Sequence, residues 1–136
     1  MIKKSILVIA AAVLLPAAAF AENKAEIMKD MKAQEEAMAS IQKAILYGSK
    51  DGVIEGVKAL KAANKVAALK DGLADYLPKE RKALHKTALK EGEQVNKYAD
   101  EMLKKLEKNS YSEAFASYGK VLNSCNTCHV IIRNWR

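Results

Sequence analysis

The sequence predicts an all-α protein, an antiparallel up-down-up-down four-helix bundle. Beyond the first twenty residues Ala, Leu, Lys, Glu and Met dominate, and almost nothing in the chain has the alternating pattern of a strand. Three short breaks, at 47–52, 71–78 and 107–112, divide the chain into four segments of helical length. Because short connections make sequential helices antiparallel, four such segments predict an up-down bundle.

The N-terminal segment, residues 1–21, has the pattern of a cleaved secretory signal peptide. Lys3 and Lys4 supply the charged start, a short apolar run follows, and Ala19-Phe20-Ala21 is a small-x-small cleavage site. The alternative is an uncleaved membrane anchor, but the apolar run is too short to cross a bilayer as a mature helix. We therefore expect an exported, periplasmic protein whose single mature domain is residues 22–136.

The four helical segments are supported by mostly apolar residues that recur in steps of three and four, which places them on one helix face. In the first segment these are Ile27, Met31, Gln34, Met38, Ile41 and Ile45, and in the last they are Phe115, Tyr118, Leu122, Cys125, His129 and Ile132. The third segment, which follows Pro78, has Leu84, Ala88, Glu91, Val95, Tyr98 and Met102. The second has the weaker series Ile54, Val57, Leu60 and Ala67.

Three members of these stripes are polar: Gln34, Glu91 and His129. A buried polar group needs a partner, because removing it from water without one is costly. His129 is the one whose neighbours in the sequence indicate what that partner is.

The charge of the chain limits the classes of partner that it is expected to bind. The net charge is +7, and the basic and acidic residues are interspersed along the helices. A spread of this kind is typical of a solvated helix surface, and at most it favours an acidic protein partner. Nucleic-acid binding is not expected, because no basic cluster is interleaved with aromatic residues.

The only two cysteines lie close to the C-terminus, in the sequence Cys125-Asn126-Thr127-Cys128-His129. On a helix Cys125 and Cys128 project from one face about a turn apart, with His129 beside them. This spacing is typical of c-type haem attachment, in which two thiols form thioether bonds to one edge of a haem and the imidazole binds the iron. The sequence therefore predicts one covalent haem c on the C-terminal helix, with His129 as the proximal ligand.

Other interpretations of the Cys-x-x-Cys-His sequence are weaker. A thioredoxin-like redox pair needs a strand before the helix, and no strand is predicted. A structural zinc site needs four ligands, and His85 is the only other histidine. An exported protein with two cysteines can form one disulfide, but a disulfide between Cys125 and Cys128 leaves His129 without a role.

A Cys-x-x-Cys-His sequence on the last helix of an exported four-helix chain resembles the class II c-type cytochromes, the cytochrome c′ group. The resemblance covers the mature chain in architecture and the first and last helices in motif. Family members usually follow the histidine with two variable residues, an aromatic residue and a base. This chain keeps the base as Arg133 and has Ile132 in place of the aromatic residue.

A distal ligand of the iron is expected to come from an earlier helix of the chain. Met28, Met31, Met38, Met102 and His85 are the candidate ligands. In an antiparallel bundle the start of the first helix faces the haem level, which favours Met31 over Met38, about 10 Å further along at 1.5 Å per residue. Met28 flanks the inward face, and Met102 lies at the far end of the third helix. His85 remains the nitrogen rival, although its face also flanks the interior.

The resemblance also favours Met31. The sequence MKAQEEAMASI at 31–41 is similar to the first helix of the Met-ligated, low-spin class II members, with a second methionine seven residues after the first. Members commonly carry an arginine four residues before the ligand, where this chain has Ile27. With Met31 as ligand, Gln34 is expected on the distal side of the same haem.

These observations predict a monohaem electron carrier that is not an enzyme. The alternative is a five-coordinate, high-spin protein that binds nitric oxide or carbon monoxide, in which Met31 only packs. We expect redox partner proteins of acidic character and no membrane contact in the mature form. Arg133 and Arg136 either lie near the haem edge or form a solvated basic end of the last helix. A homodimer is compatible with the resemblance.

Overall fold

The computed structural model of the chain describes residues 15–133, with side chains over 25–70 and 72–133. The predicted signal peptide, residues 1–21, lies outside the described residues except for the backbone of 15–21, and Arg136 lies outside them as well. Within the described part, no helix combines the length and the apolar character needed to span a membrane.

The described chain is almost entirely helical, with four long helices, one single-turn helix and two 3₁₀ segments. The helices are α1 (Leu15–Leu46), α2 (Lys50–Ala63), α3 (Val66–Leu69), α4 (His85–Glu107) and α5 (Tyr111–Arg133), and the 3₁₀ segments are Lys70–Tyr76 and Lys79–Leu84. No strand occurs between residues 15 and 133. The predicted all-α class is confirmed at the level of a helical bundle.

The first and third breaks lie where the sequence predicts them. Between α1 and α2, Gly48 has a φ of 68°, in the left-handed region that glycine adopts without steric cost. Ser49 then caps α2, its side chain accepting a hydrogen bond from the Gly52 N–H at 3.1 Å. Between α4 and α5, Asn109 takes the same left-handed conformation with a φ of 56°. Both turns are short, so each connects a pair of packed helices.

The middle break is longer than predicted, running from Asn64 to Leu84. The Asn64 side chain is the reason it starts early: its Nδ2 donates to the Gly92 carbonyl at 2.8 Å and to Asn96 Oδ1 at 3.1 Å. Pro78 precedes the 3₁₀ segment rather than α4 itself. The connection is packed rather than loose, because Leu73 within it is only 1% exposed.

The interior consists of two clusters of buried residues. The larger one contains Ala37, Ile41, Ala44, Val53, Val57, Leu60, Val95, Ala99, Met102, Leu106, Ala114 and Val121. The smaller one contains Val66, Leu73, Ala88 and Cys128, with Ile27, Met31, Leu69, Leu89 and Ile132 packed against it. One of the two cysteines therefore lies inside the smaller cluster.

The buried face of α5 differs from the predicted stripe by one residue along the helix. Its buried residues are Ala114, Ser117, Val121, Ser124, Cys128 and Ile131. Three of these six are alanine or serine, which let α5 approach α4 closely, and the larger residues of the predicted stripe flank that contact. The prediction was wrong for Leu122, which is 54% exposed. The flanking face matters because it borders a cavity.

Candidate functional site

The Cys-x-x-Cys-His sequence lies entirely within α5. Cys128 is buried, and its Sγ lies 4.0 Å from the Ala88 carbonyl oxygen of α4. Cys125 is partly buried and packs against the larger cluster. His129 is also partly buried. The two thiols are not joined in a disulfide, so the helix holds two separate sulfur atoms and one imidazole along adjoining faces.

A cavity of about 340 Å³ lies beside these three residues. Residues of α1 and α5 form two of its sides. Each of these two helices packs chiefly on another helix, α1 on α2 and α5 on α4. Its walls are formed by Met31, Gln34, Glu35, Met38, Asn64, Val66, Glu91, Gly92, Val95, Leu122, Ser124, Cys125, Asn126, Cys128 and His129. All five predicted site residues, namely Cys125, Cys128, His129, Met31 and Gln34, are therefore in the wall of one cavity.

The three polar residues of the predicted stripes also meet at this cavity. Gln34, Glu91 and His129 come from α1, α4 and α5, and each contributes to the wall. Gln34 is 8% exposed, and its Nε2 donates to the Ala63 carbonyl oxygen at 3.4 Å. Their common location explains why polar residues interrupt otherwise apolar stripes on three separate helices.

Two of the four methionines considered as distal ligands line the cavity. Met31 lines it and also packs against the smaller cluster. Met38, expected to be one level too far along α1, lines it too. Met28 is 53% exposed, and Met102 is 1% exposed within the larger cluster. Neither belongs to the described wall.

The nitrogen rival, His85, lies at the start of α4 and is not among the described residues of the cavity wall. Its Nδ1 is 3.0 Å from the Lys82 carbonyl oxygen, within the preceding 3₁₀ segment. This contact joins the imidazole ring to its own part of the chain, at the junction between the middle connection and α4.

Burial controls the protonation of the cysteines and the histidine. Desolvation, with smaller effects from Cys125 and from the charge of Glu91, raises the pKa of Cys128 to about 11. Burial also raises the pKa of Cys125. For His129 the pKa is lowered, first by burial and then by the nearby Arg133 charge. At neutral pH the thiols are therefore protonated, and the imidazole is neutral, which is the form that can bind a metal ion.

Sequence reasoning missed the part of the wall that comes from the middle connection. Asn64 is 6% exposed, and its Nδ2 already donates to two acceptors, so its orientation is fixed. Its Oδ1 is buried and has no hydrogen-bond partner among the described residues. Val66 follows it and adds an apolar surface. No periodic signal marks either residue, since the connection is not a continuous helix.

The cavity wall is mostly apolar and has sulfur and nitrogen donors along one edge. Methionine, valine and leucine side chains provide most of its apolar surface, and α5 presents two thiols and an imidazole at one edge. By contrast, no group of three or more histidine, cysteine, aspartate or glutamate residues in the described part of the chain is arranged to hold a metal ion directly. Two thiols and an imidazole in the order Cys-x-x-Cys-His are the donor types that covalent haem attachment uses.

Comparisons with models of known protein families, with curated proteins and with solved structures find no match to this chain.

Proposed function

We propose that the protein is a single-haem c-type cytochrome that carries one electron at a time between redox partner proteins. Cys125 and Cys128 would hold the haem through thioether bonds, His129 would be its proximal ligand, and Met31 its distal ligand. The observation that carries the proposal is the single cavity whose wall contains all four residues, contributed by α1 and α5. Haem iron, when bound, alternates between the ferric and ferrous states by one electron.

The residues of the chain perform three tasks in this function. The α5 backbone holds the two sulfur atoms and the imidazole in a constant relation, because all three lie within one continuous helix. The apolar wall, including Val66 and Val95, would limit the access of water to a haem bound there. The lowered pKa of His129 favours the neutral imidazole at neutral pH, which is the form that can bind a metal ion. No bond to a substrate is made or broken, so the protein is not expected to be an enzyme.

Several contacts support the finer architecture, an antiparallel up-down-up-down bundle of the cytochrome c′ type. Between α2 and α4, Lys50 contacts Asn109 and Lys61 contacts Asp100, so residue numbers rise along one helix as they fall along the other. Between α4 and α5, the Lys105–Glu113, Glu101–Lys120 and Ala88–Cys128 contacts follow the same rule. With Met31 in the wall, the likeness is to the Met-ligated, low-spin members.

The second candidate function is a five-coordinate haem protein that binds nitric oxide or carbon monoxide. One observation favours it: Met31 packs against the smaller apolar cluster that includes Cys128, as a methionine with only a packing role would. Both functions use the same attachment site and differ in whether Met31 binds the iron.

The visible spectrum of the exported protein tests the proposal. Sharp, split bands in the reduced state that carbon monoxide does not perturb are expected for an iron bound by His129 and Met31. A broad high-spin spectrum that shifts with carbon monoxide would refute the electron carrier and support the gas-binding alternative. A colourless protein would exclude both. Recovery of the protein in a periplasmic extract, with its N-terminus at Glu22, tests export.

Substitution of the ligand tests the assignment of Met31. Met31→Ala is expected to convert the split spectrum into the broad, carbon monoxide-sensitive one. Met28→Ala is the matched control, because Met28 is on the same helix but 53% exposed and outside the described wall. An unchanged spectrum in Met31→Ala would show that Met31 is not the distal ligand. Met38, which also lines the cavity, would then be the next residue to substitute.

A further inference from the structure

The charged side chains of the described cavity wall are acidic. Glu35 from α1 and Glu91 from α4 belong to the described wall, and no lysine or arginine does. The chain as a whole has a net charge of +7. The cavity is therefore lined by charge of the opposite sign to that of the protein.

The two carboxylates differ in their contact with solvent. Glu91 is partly buried between α4 and α5, whereas Glu35 is exposed. Among the ion pairs formed by the described residues, none includes Glu91 or Glu35. A partly buried charge is screened less by water and salt than an exposed one. The electric field of Glu91 inside the cavity is therefore expected to be stronger than that of Glu35.

We infer that the Glu91 carboxylate lowers the reduction potential of the haem held in this cavity, and so opposes the effect of the Met31 thioether. The inference rests on the proposed electron-carrier function. Gain of one electron removes one positive charge from the iron, so a nearby negative charge stabilises the oxidised state relative to the reduced state. Thioether ligation acts in the other direction, because a soft sulfur donor favours ferrous iron and raises the potential.

The size of the effect follows from Coulomb's law. Two unit charges about 12 Å apart at an effective dielectric constant near 20 change a one-electron equilibrium by roughly tenfold. A tenfold change corresponds to about 59 mV for one electron. Glu91 acts through its charge alone and forms no bond to the iron, so it is a tuning residue rather than a ligand. The carbon monoxide response and the axial ligands should be unaffected by its removal.

The test is the midpoint potential of the purified haem protein, measured by a spectroscopic redox titration. Glu91→Gln keeps the size of the side chain and removes its charge. We expect the equilibrium constant for reduction to rise about tenfold, which raises the midpoint potential by about 59 mV. Glu35→Gln removes an exposed charge from the same wall, and a smaller rise is expected. Glu93→Gln removes an exposed charge from the same helix outside the described wall, so it should leave the potential nearly unchanged.

A fourth variant separates charge from packing. Glu91→Asp keeps the charge and should remain close to the wild-type potential; a rise equal to that of Glu91→Gln would mean that packing, not charge, is responsible, and would overturn the inference. Equal potentials for Glu91→Gln and Glu93→Gln, with the wild-type spectrum retained, would overturn this inference alone. A colourless wild-type protein would overturn the proposed function, and this inference with it.

Discussion

Replacing Gly92 with alanine should destabilise the fold, although alanine is normally the better helix residue. A Cβ added at Gly92 would lie 2.6 Å from Val66 Cγ1 and 2.9 Å from Val66 Cβ. The Cβ contact cannot be relieved by a side-chain rotation, because Cβ is bonded directly to the backbone of α3. Something must therefore move at the point where α3 packs on α4.

The magnitude follows from two opposing effects. Extra atoms forced into a packed interior cost about 1–3 kcal/mol. The gain in helix propensity from glycine to alanine is about 1 kcal/mol. With contacts this short we take about 2 kcal/mol for the steric cost, which leaves Gly92→Ala less stable than the wild type by about 1 kcal/mol.

Gly119 on α5 provides the matched control, since a Cβ there would have no heavy atom within 4 Å. Gly119→Ala should therefore gain about 1 kcal/mol from propensity alone. The two variants are expected to differ by about 2 kcal/mol, or about 1 M in the urea midpoint for a typical small domain. Urea unfolding followed by circular dichroism, at matched haem content, measures the difference. Equal midpoints would refute the close packing of α3 on α4.

Three further outcomes are expected. Asn64→Ala should lower the free energy of unfolding in urea by about 1–3 kcal/mol, because it removes two hydrogen bonds to α4; a wild-type midpoint would show that these bonds contribute little. Lys105 lowers the pKa of Glu113 in the folded chain. The pair therefore stabilises the fold above the ordinary glutamate pKa, and this contribution is lost as the pH falls through the lowered value. Lys105→Met should flatten the acid limb of the stability-against-pH curve, and an unchanged limb would contradict the pairing. In the haem-free chain at neutral pH, Cys125 should be alkylated faster than Cys128, whose thiol is buried and has a pKa raised to about 11. Mass spectrometry over a time course measures both rates, and equal rates would contradict the burial of Cys128.

The long helices could be predicted from the sequence because their signals are local. Gly48 and Asn109 mark the two short turns, and steps of three and four mark the helical faces between them. The face of α5 was predicted one residue out of place. Apolar periodicity follows the larger residues, whereas close helix packing in this bundle uses small ones such as Ser117 and Ser124.

Part of the wall of the candidate site could be predicted from the sequence, and part could not. Cys125, Cys128 and His129 are recognisable by spacing, and Met31 by its level along the first helix. Asn64 and Val66 enter the wall through side-chain contacts made by an irregular connection, and such contacts leave no periodic trace in the sequence. Glu91 stands out in the sequence as a polar residue in an otherwise apolar stripe. Its place in the same cavity wall as Gln34 depends on how three helices pack together, which the sequence does not show.

The unequal lengths of the connections have a consequence for how the molecule is assembled. Two brief turns join α1 to α2 and α4 to α5, while about twenty residues separate the two pairs. Contacts of low sequence separation form first, so we expect two helical hairpins to arise early and to dock in a later, slower step. The cavity is the seam between them, with Met31 contributed by one hairpin and the cysteines by the other. Under the proposed function, haem attachment to the thiols of α5 would be easiest before the hairpins dock, when α4 alone packs against them.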